Sequence, residues 1–466
     1  MQIINCMVKI ISPIEKQVKP LPEEGLLLAD MLKIEELAKS TEYYKREPKK
    51  ITATYIFVSF LLIKNIGSNS LKSWAVQLGR LAKQTISKEA LNERLNEKAV
   101  DLFRTILKEV LALKLDGKKV KASKKNKANA KLIEHFNRIL MRDSTIQQIN
   151  SAFSSYYSGN HSKGSEPTSL IRIQALYDFS SEKWIELDLN GYANNDQSAA
   201  CDIADCLQKK DLLLQDLGYF VLEWLEQIIK YQYIITKWDN KTNLYEADGK
   251  QIDLLKLVKK KGNKRRVDME VLVGSKKKIP MRLVIKKLPA KIAKARIEQA
   301  RKNRHSKSNH SDQYYKLLHY EIYLTNIEAD VLDVVDIAKL YGLRWHIEIL
   351  FKGWKSFDHF KAILKGRKMK VERLRISIYI ILIKIVWVKN VIYQYVKEQG
   401  KFDRPISDMK FIDVTNICLD YILKIARLDQ LDELLLEFKQ HALYDKHTKR
   451  RNTKDKYLKY IHLCVM

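Results

Sequence analysis

Cysteine is scarce and unpaired in this sequence. Five occur in 466 residues (Cys6, Cys201, Cys206, Cys418, Cys464), without a CxxC pair or a zinc-ligand spacing. That excludes a disulfide scaffold and a zinc framework, and with no signal-peptide pattern it suits a reducing cytoplasm. Cys201 and Cys206 fall in "DQSAACDIADCLQKK", a stretch with helical character where core packing is expected. No glycine-rich loop is placed to cradle nucleotide phosphates, and no nucleophile elbow is present. Internal repeats and low-complexity tracts are also missing, so neither a solenoid nor a disordered chain is expected. The one long apolar run, "ISIYIILIKIVWVKNVIYQYV" (376–396), is interrupted by Lys384 and Lys389. Lysine inside a bilayer is costly, so a buried core helix is expected there and no membrane partner.

Positive charge is in excess: 85 Lys and Arg against 55 Asp and Glu give a net charge of +30. Such an excess repels itself and makes sense mainly against a polyanion, nucleic acid first and an anionic membrane surface second. A hydrophobic content of 46% still provides for real cores, and the length allows two or three domains.

Residues 1–130 read as a helical, DNA-binding region. Within them, "SLKSWAVQLGRLAKQTISKEALNERLN" (70–96) reads as two helices and a short turn, Ser87 capping the second. This is the outline of a helix-turn-helix, although two helices in any bundle look the same. A basic linker, 116–131, follows. From 131 to 237 the texture becomes mixed α/β. "FNRILMRDST" is an apolar run ending at Asp143, "IRIQALYDF" and "KWIELDLNG" alternate as a hairpin, and "DLLLQDLGYF" is a second apolar run, ending at Asp216. Residues 238–315 read as a β-rich basic insertion, 316–365 as the return to the core, and 366–466 as a helical, basic C-terminal region.

Open α/β sheets place their chemistry at strand ends. Asp143 and Asp216 each close such a run, and Glu348 lies in a later helix, "YGLRWHIEILFKGWKSF" (341–357). In one helix, Tyr341, Arg344, Glu348 and Lys355 would share an arc only about 60° wide. A solvated face is the bland reading. The alternative gathers three carboxylates around hard divalent cations, with Arg344 and Lys355 holding phosphate and Tyr341 donating a hydrogen bond to it. Two Mg²⁺ ions so held, about 3.5–4 Å apart, clamp the attacking and leaving oxygens of a phosphoryl transfer. His346 would lie about 160° round the helix from Glu348, which removes it as a ligand. His305 and His310 sit in a basic loop suited to solvent or phosphate, and Glu186 and Asp188 share one face of the hairpin, a solvated one by default.

The spacing Tyr341-x2-Arg344-x3-Glu348-x6-Lys355 resembles the YREK signature of DDE transposases of the insertion-sequence-4 type. "LMRDST", "DLGYF" and "YEIYLTNI" resemble the segments around the two aspartates and the strand before the signature helix. The resemblance spans roughly residues 135–360. It implies an RNase H-like (retroviral-integrase-like) core, with Asp143, Asp216 and Glu348 binding Mg²⁺ (Mn²⁺ as substitute) and Tyr341, Arg344 and Lys355 contacting DNA. It further implies endonucleolytic cleavage at terminal inverted repeats through a hairpin intermediate, strand transfer into target DNA, a synaptic homodimer and a cytoplasmic, nucleoid-associated enzyme. Relatives stack a flipped base on an aromatic of the insertion. Here Trp238 lies at the wrong end of it, and Tyr314, Tyr315 and Tyr320 compete. A nuclease on the same fold, or a DNA-binding protein that has lost catalysis, are the competing expectations.

Overall fold

A computed structural model describes residues 27–46, 48, 50–63, 70–113, 135–160, 167–260, 266–302, 311–357, 360, 364 and 369–445. The linker at 116–131, His305, His310 and the basic tail at 447–457 lie outside them.

Six helices come first: α1 (Leu27–Met31), α2 (Ile34–Ser40), α3 (Ala53–Leu61), α4 (Leu71–Ala82), α5 (Lys88–Arg94) and α6 (Glu97–Ala112). Ser70, Ser87 and Asn96 each accept a backbone N–H at the third residue on, which starts α4, α5 and α6. Between α4 and α5 the chain turns at Lys83, whose φ of 50° is left-handed, and Gln84 N–H closes on Gly79 O at 2.9 Å. The helix pair expected over 70–96 is present.

The sheet follows, with β1 (Ile139–Ile149), β2 (Ser169–Asp178), β3 (Lys183–Gly191), β4 (Leu212–Gln215), helix α7 (Leu222–Ile228) and β5 (Tyr233–Lys237). Next come β6 (Leu244–Tyr245), α8 (Leu254–Lys260), β7 (Arg266–Val273), β8 (Ile279–Lys287), α9 (Ala290–Lys302), α10 (Asp312–Leu317) and β9 (Tyr320–Thr325). These nine strands form one mixed sheet in the order β3-β2-β1-β4-β5-β9-β8-β7-β6. Only β1–β4 and β4–β5 are parallel. Among the described residues, 238–315 hold somewhat more helix than strand, and their strands extend the same sheet through the β8–β9 pairing. Where a helix is expected around 196–210, the chain makes turns and a short 3₁₀ segment at Ala204–Cys206. Cys201 is consequently exposed and Cys206 half-buried, not core residues.

The two faces of the sheet bury separate cores, and the two-residue period of the strands sorts the side chains between them. On one face, Ile139, Met141, Ile173, Leu212 and Leu214 pack against the helical regions; on the other, Leu140, Leu176 and Leu213 pack with Trp224 and Leu225 of α7.

After β9 come α11 (Val334–Leu343), α12 (Trp345–Trp354) and α13 (Val371–Trp387), a π-helical stretch at Val388–Ile392, α14 (Tyr393–Gln399), α15 (Asp408–Ile417), α16 (Leu419–Lys424) and α17 (Leu435–His441). The continuous helix 371–399 is long and apolar enough to cross a membrane, but its apolar window is wholly buried in this fold, where α13 packs along α6. Its lysines are satisfied internally: Lys384 Nζ donates to Ile63 O at 3.3 Å, and Lys389 pairs with Asp408 at 2.7 Å.

Candidate active site

The positions of the two aspartates follow from strand register. Arg142 of β1 stands opposite Gln215 of β4 in the parallel ladder, so Asp143 and Asp216 are the next residues on adjacent strands. Both share the strand parity of Met141 and Leu214, and hence the same face of the sheet. Asp143 does not end its strand, as the apolar run had suggested. β1 continues to Ile149 paired with β2, and what ends at Asp143 is the pairing with β4. Asp216 caps the 3₁₀ turn Leu217–Tyr219, its carboxylate accepting Gly218 N–H at 3.4 Å.

Residues 341–357 do not form one unbroken helix. At Arg344 the ladder tightens to three-residue bonds, Arg344 N–H to Tyr341 O at 3.1 Å and Ile347 N–H to Arg344 O at 3.2 Å. This joint separates α11 from α12 and aims the Arg344 guanidinium at the carboxylates. Its Nη1 donates to Asp143 Oδ2 at 2.6 Å, and its Nη2 lies 3.2 Å from Glu348 Oε1 and 3.4 Å from Asp216 Oδ1. One guanidinium thus gathers all three acids. Asp143, Asp216, Arg344, Glu348, Lys352 and Lys355 line an open cleft of about 380 Å³.

Tyr341 is not in that cleft, which corrects the expectation that four residues share one DNA-facing arc. It is 6% exposed, and its ring lies 5.1 Å from that of Tyr323 of β9. Lys237, at the end of β5, and Arg344 both approach the Tyr341 ring, at 5.6 and 5.9 Å. His346 lies away from the acids, 3.4 Å from the buried Asp408.

Burial drives the Asp143 carboxyl up to about 7; the Arg344 charge and the Ser144 N–H pull it back only in part, and Asp216 and Glu348 push it further up. Burial also disfavours the Arg344 charge, yet the surrounding acids outweigh it and leave the guanidinium more basic than usual. Lys237 is shifted down by burial first, then by Arg296 and Arg344. At Asp143, then, burial and two neighbouring carboxylates outweigh the one guanidinium that it meets.

Of the residues at the cleft, sequence reasoning missed Lys352; Lys237 behind Tyr341 and the exposed Trp345 beside Lys352 lie near it but do not line it. Lys352 is four residues beyond Glu348 and could have been found by helical spacing. Trp345 is 50% exposed beside Lys352, and Lys237 carried no local signal. Among the proposed stacking aromatics, Trp238 is partly buried, its indole N–H donating to Thr242 O at 2.9 Å, and Tyr314 packs edge-on against Tyr315. None of them, nor Tyr320, lines the cleft.

The residues fit hard divalent cations in donor type, all three acids offering oxygen and already converging on one positive charge. As the side chains stand, no three acidic, histidine or cysteine residues among those described are disposed to grip one ion. Arg344 fills the space between them, so a metal and the guanidinium compete for the same acids. A mixed sheet and a helix that bring three carboxylates to an open cleft, in a chain of net charge +30, point to a class: enzymes of phosphoryl transfer on nucleic acid.

Comparison with known proteins narrows the class. A family described as "Transposase DDE domain" matches residues 134–383. The transposase for insertion sequence element IS231F of Bacillus thuringiensis subsp. israelensis is 27% identical over 403 residues, 82% of this chain and 81% of the relative. That for IS231B of subsp. berliner is 29% identical over 400 residues, 81% of each. That for IS1151 of Clostridium perfringens is 24% identical over 388 residues, 78% of each. Among solved structures, a piggyBac transposase chain from a synaptic complex with hairpin DNA superposes at a TM-score of 0.42 with 11% identity, a distance at which the likeness carries no weight. The chain belongs to the DDE transposase family: it is an enzyme that acts on DNA, of a kind that generally uses divalent metal.

Proposed function

We propose that this transposase is of the insertion-sequence-4 type, with an RNase H-like core, and that Asp143, Asp216 and Glu348 hold two Mg²⁺ ions, replaceable by Mn²⁺. The observation that carries this reading is the convergence of the three carboxylates on one guanidinium at 2.6, 3.2 and 3.4 Å. Bound there, the ions would supply Lewis-acid stabilisation to the attacking and leaving oxygens of the phosphodiester. The chain's own cations do the rest. Lys355 and Lys352, at the cleft wall, hold the backbone of the strand to be cut, and Arg344, once released from the acids, contacts DNA phosphate. Tyr341 backs Arg344 from behind the cleft and does not touch DNA directly.

In this reading the enzyme nicks DNA at the terminal inverted repeats of its element and joins the freed 3′ end to target DNA. It works as a synaptic homodimer in the cytoplasm, at the nucleoid. The test is cleavage of the element's own end DNA, with Mg²⁺ and with EDTA, by wild type and Glu348→Gln. Cutting by wild type alone, and only with metal, is the expected result. Equal cutting by both removes Glu348 from the site. Cleavage without joining would mark a plain nuclease, and binding without cutting an inactive DNA-binding protein.

A further inference from the structure

The reverse face of the sheet, behind the catalytic aspartates, carries a buried polar network with no evident need to be there. Alternation sends Arg142, Ser144, Arg172, Gln174 and Gln215 to that face, opposite to Asp143 and Asp216. Four of these five are at most 7% exposed: Arg142 1%, Arg172 7%, Gln174 6% and Gln215 0%. So much buried polarity is costly unless it is satisfied.

The loop through 196–206, part of the 196–210 stretch expected as a helix, partners most of it, leaving the Nε of Arg142 and of Arg172 without a hydrogen bond among the described residues. Asp196 is the hub: its Oδ1 accepts from Ser144 Oγ at 2.8 Å, Arg172 Nη1 at 2.8 Å and Gln174 Nε2 at 3.2 Å. Its other oxygen abuts Gly218, where a Cβ would stand 2.8 Å from Oδ2. The Arg142 guanidinium donates to the carbonyls of Ala199 and Ala200 and lies 4.5 Å from the Tyr219 ring centroid. The Tyr219 hydroxyl donates to Gln174, and Gln215 Nε2 to Tyr219 O at 3.2 Å. Every contact reaches a residue within three positions of Asp143 or Asp216, or a strand neighbour of one.

We propose that Asp196 is a positioning residue for the catalytic aspartate pair, hydrogen-bonded to Ser144 beside Asp143 and packed against Gly218 beyond Asp216, and so fixing the spacing of the two carboxylates for divalent metal. The proposal rests on the reading of Asp143, Asp216 and Glu348 as metal ligands. Arg172 and Gln174 hold the hub from β2, and a side chain at Gly218 would push against the Asp196 carboxylate and shift it. Groups that orient metal ligands typically govern affinity by about 10–100-fold when removed.

The test is Mn²⁺ binding to the full chain, by calorimetry, for wild type, Asp196→Asn, Ser144→Ala and Glu348→Gln, with thermal melting and end-DNA binding alongside. Expected are a loss of Mn²⁺ affinity of about 10–100-fold in Asp196→Asn, a smaller loss in Ser144→Ala, and unchanged affinity for end DNA in both. Cleavage by both variants should recover as Mn²⁺ is raised, which a merely structural defect would not do. Mn²⁺ affinity unchanged in both variants overturns the proposal. So does a fall in melting temperature and DNA binding together in Asp196→Asn, with Ser144→Ala unaffected. If wild type and Glu348→Gln bind Mn²⁺ alike, or wild type not at all, the carboxylate reading itself fails.

Discussion

Helix α12 carries two ion clusters built on opposite charge balances. On its cleft side, three carboxylates share one guanidinium, and their side chains are 14% (Asp143), 38% (Asp216) and 30% (Glu348) exposed. On its inner side, one carboxylate, Asp408, meets Lys389 at 2.7 Å and His346 at 3.4 Å, all of them at most 8% exposed. The Lys389 ammonium also lies over the Tyr393 ring, 3.4 Å from its centroid. The inner cluster is charge-balanced and closed, which is how a buried ion pair survives desolvation. In the cleft cluster three carboxylates crowd one guanidinium where water and ions can reach them, with Lys352 and Lys355 on the same wall, an open arrangement whose partners can be exchanged. An open cluster that can exchange partners suits function; a closed, balanced one suits structure.

The comparison can be broken in order of effect. Asp143→Asn or Asp216→Asn should lower end-DNA cleavage by about a thousandfold or more, since a lost ligand forfeits several kcal/mol of transition-state stabilisation. Neither change should lower the melting temperature, because each relieves repulsion among the acids. Cleavage surviving in either variant would put that aspartate outside the site. Asp408→Ala should do the reverse to stability, costing about 3–5 kcal/mol in urea unfolding because Lys389 is left buried without its carboxylate. Replacing the pair together, Asp408→Leu with Lys389→Met, should return most of that loss; a double variant as unstable as the single would mean that the pair itself is not what matters. The smallest effect is on the cleft wall. Lys355→Ala should weaken DNA binding uniformly across sequences and reduce the slope of log affinity against log salt by about one. An unchanged slope would show that Lys355 makes no phosphate contact.

Which residues meet in the cleft was more legible than how the fold holds them there. Residue types and spacing were enough to single out Asp143, Asp216, Arg344, Glu348 and Lys355, and the structure brings all five to one cleft. Tyr341 was misplaced because helical projection assumes one continuous ladder, whereas the tightened turn at Arg344 splits it. The strand through Asp143 was read too short because the apolar run ends there; the polar Thr145 and Gln147 beyond it are nonetheless buried in β1. The stretch at 196–210 was misread because "SAACDIADC" has helical composition. Its turns are held by side chains that compete for the backbone, such as Asn195 Oδ1 accepting Ser198 N–H at 3.0 Å. The contacts of Asp196 join residues up to 52 positions apart, beyond any local pattern. The second ion cluster escaped notice for the same reason: Lys389 reads as a flaw in an apolar run until Asp408 is folded against it.

The central claim is that the three carboxylates are a metal site and that Arg344 occupies a cation's place among them. The most direct measurement is anomalous scattering from crystals of the full chain grown with Mn²⁺. The account predicts an anomalous peak bounded by Asp143, Asp216 and Glu348, with the Arg344 guanidinium moved off at least two of them. A Mn²⁺ peak elsewhere, with Arg344 still holding all three acids, would contradict it.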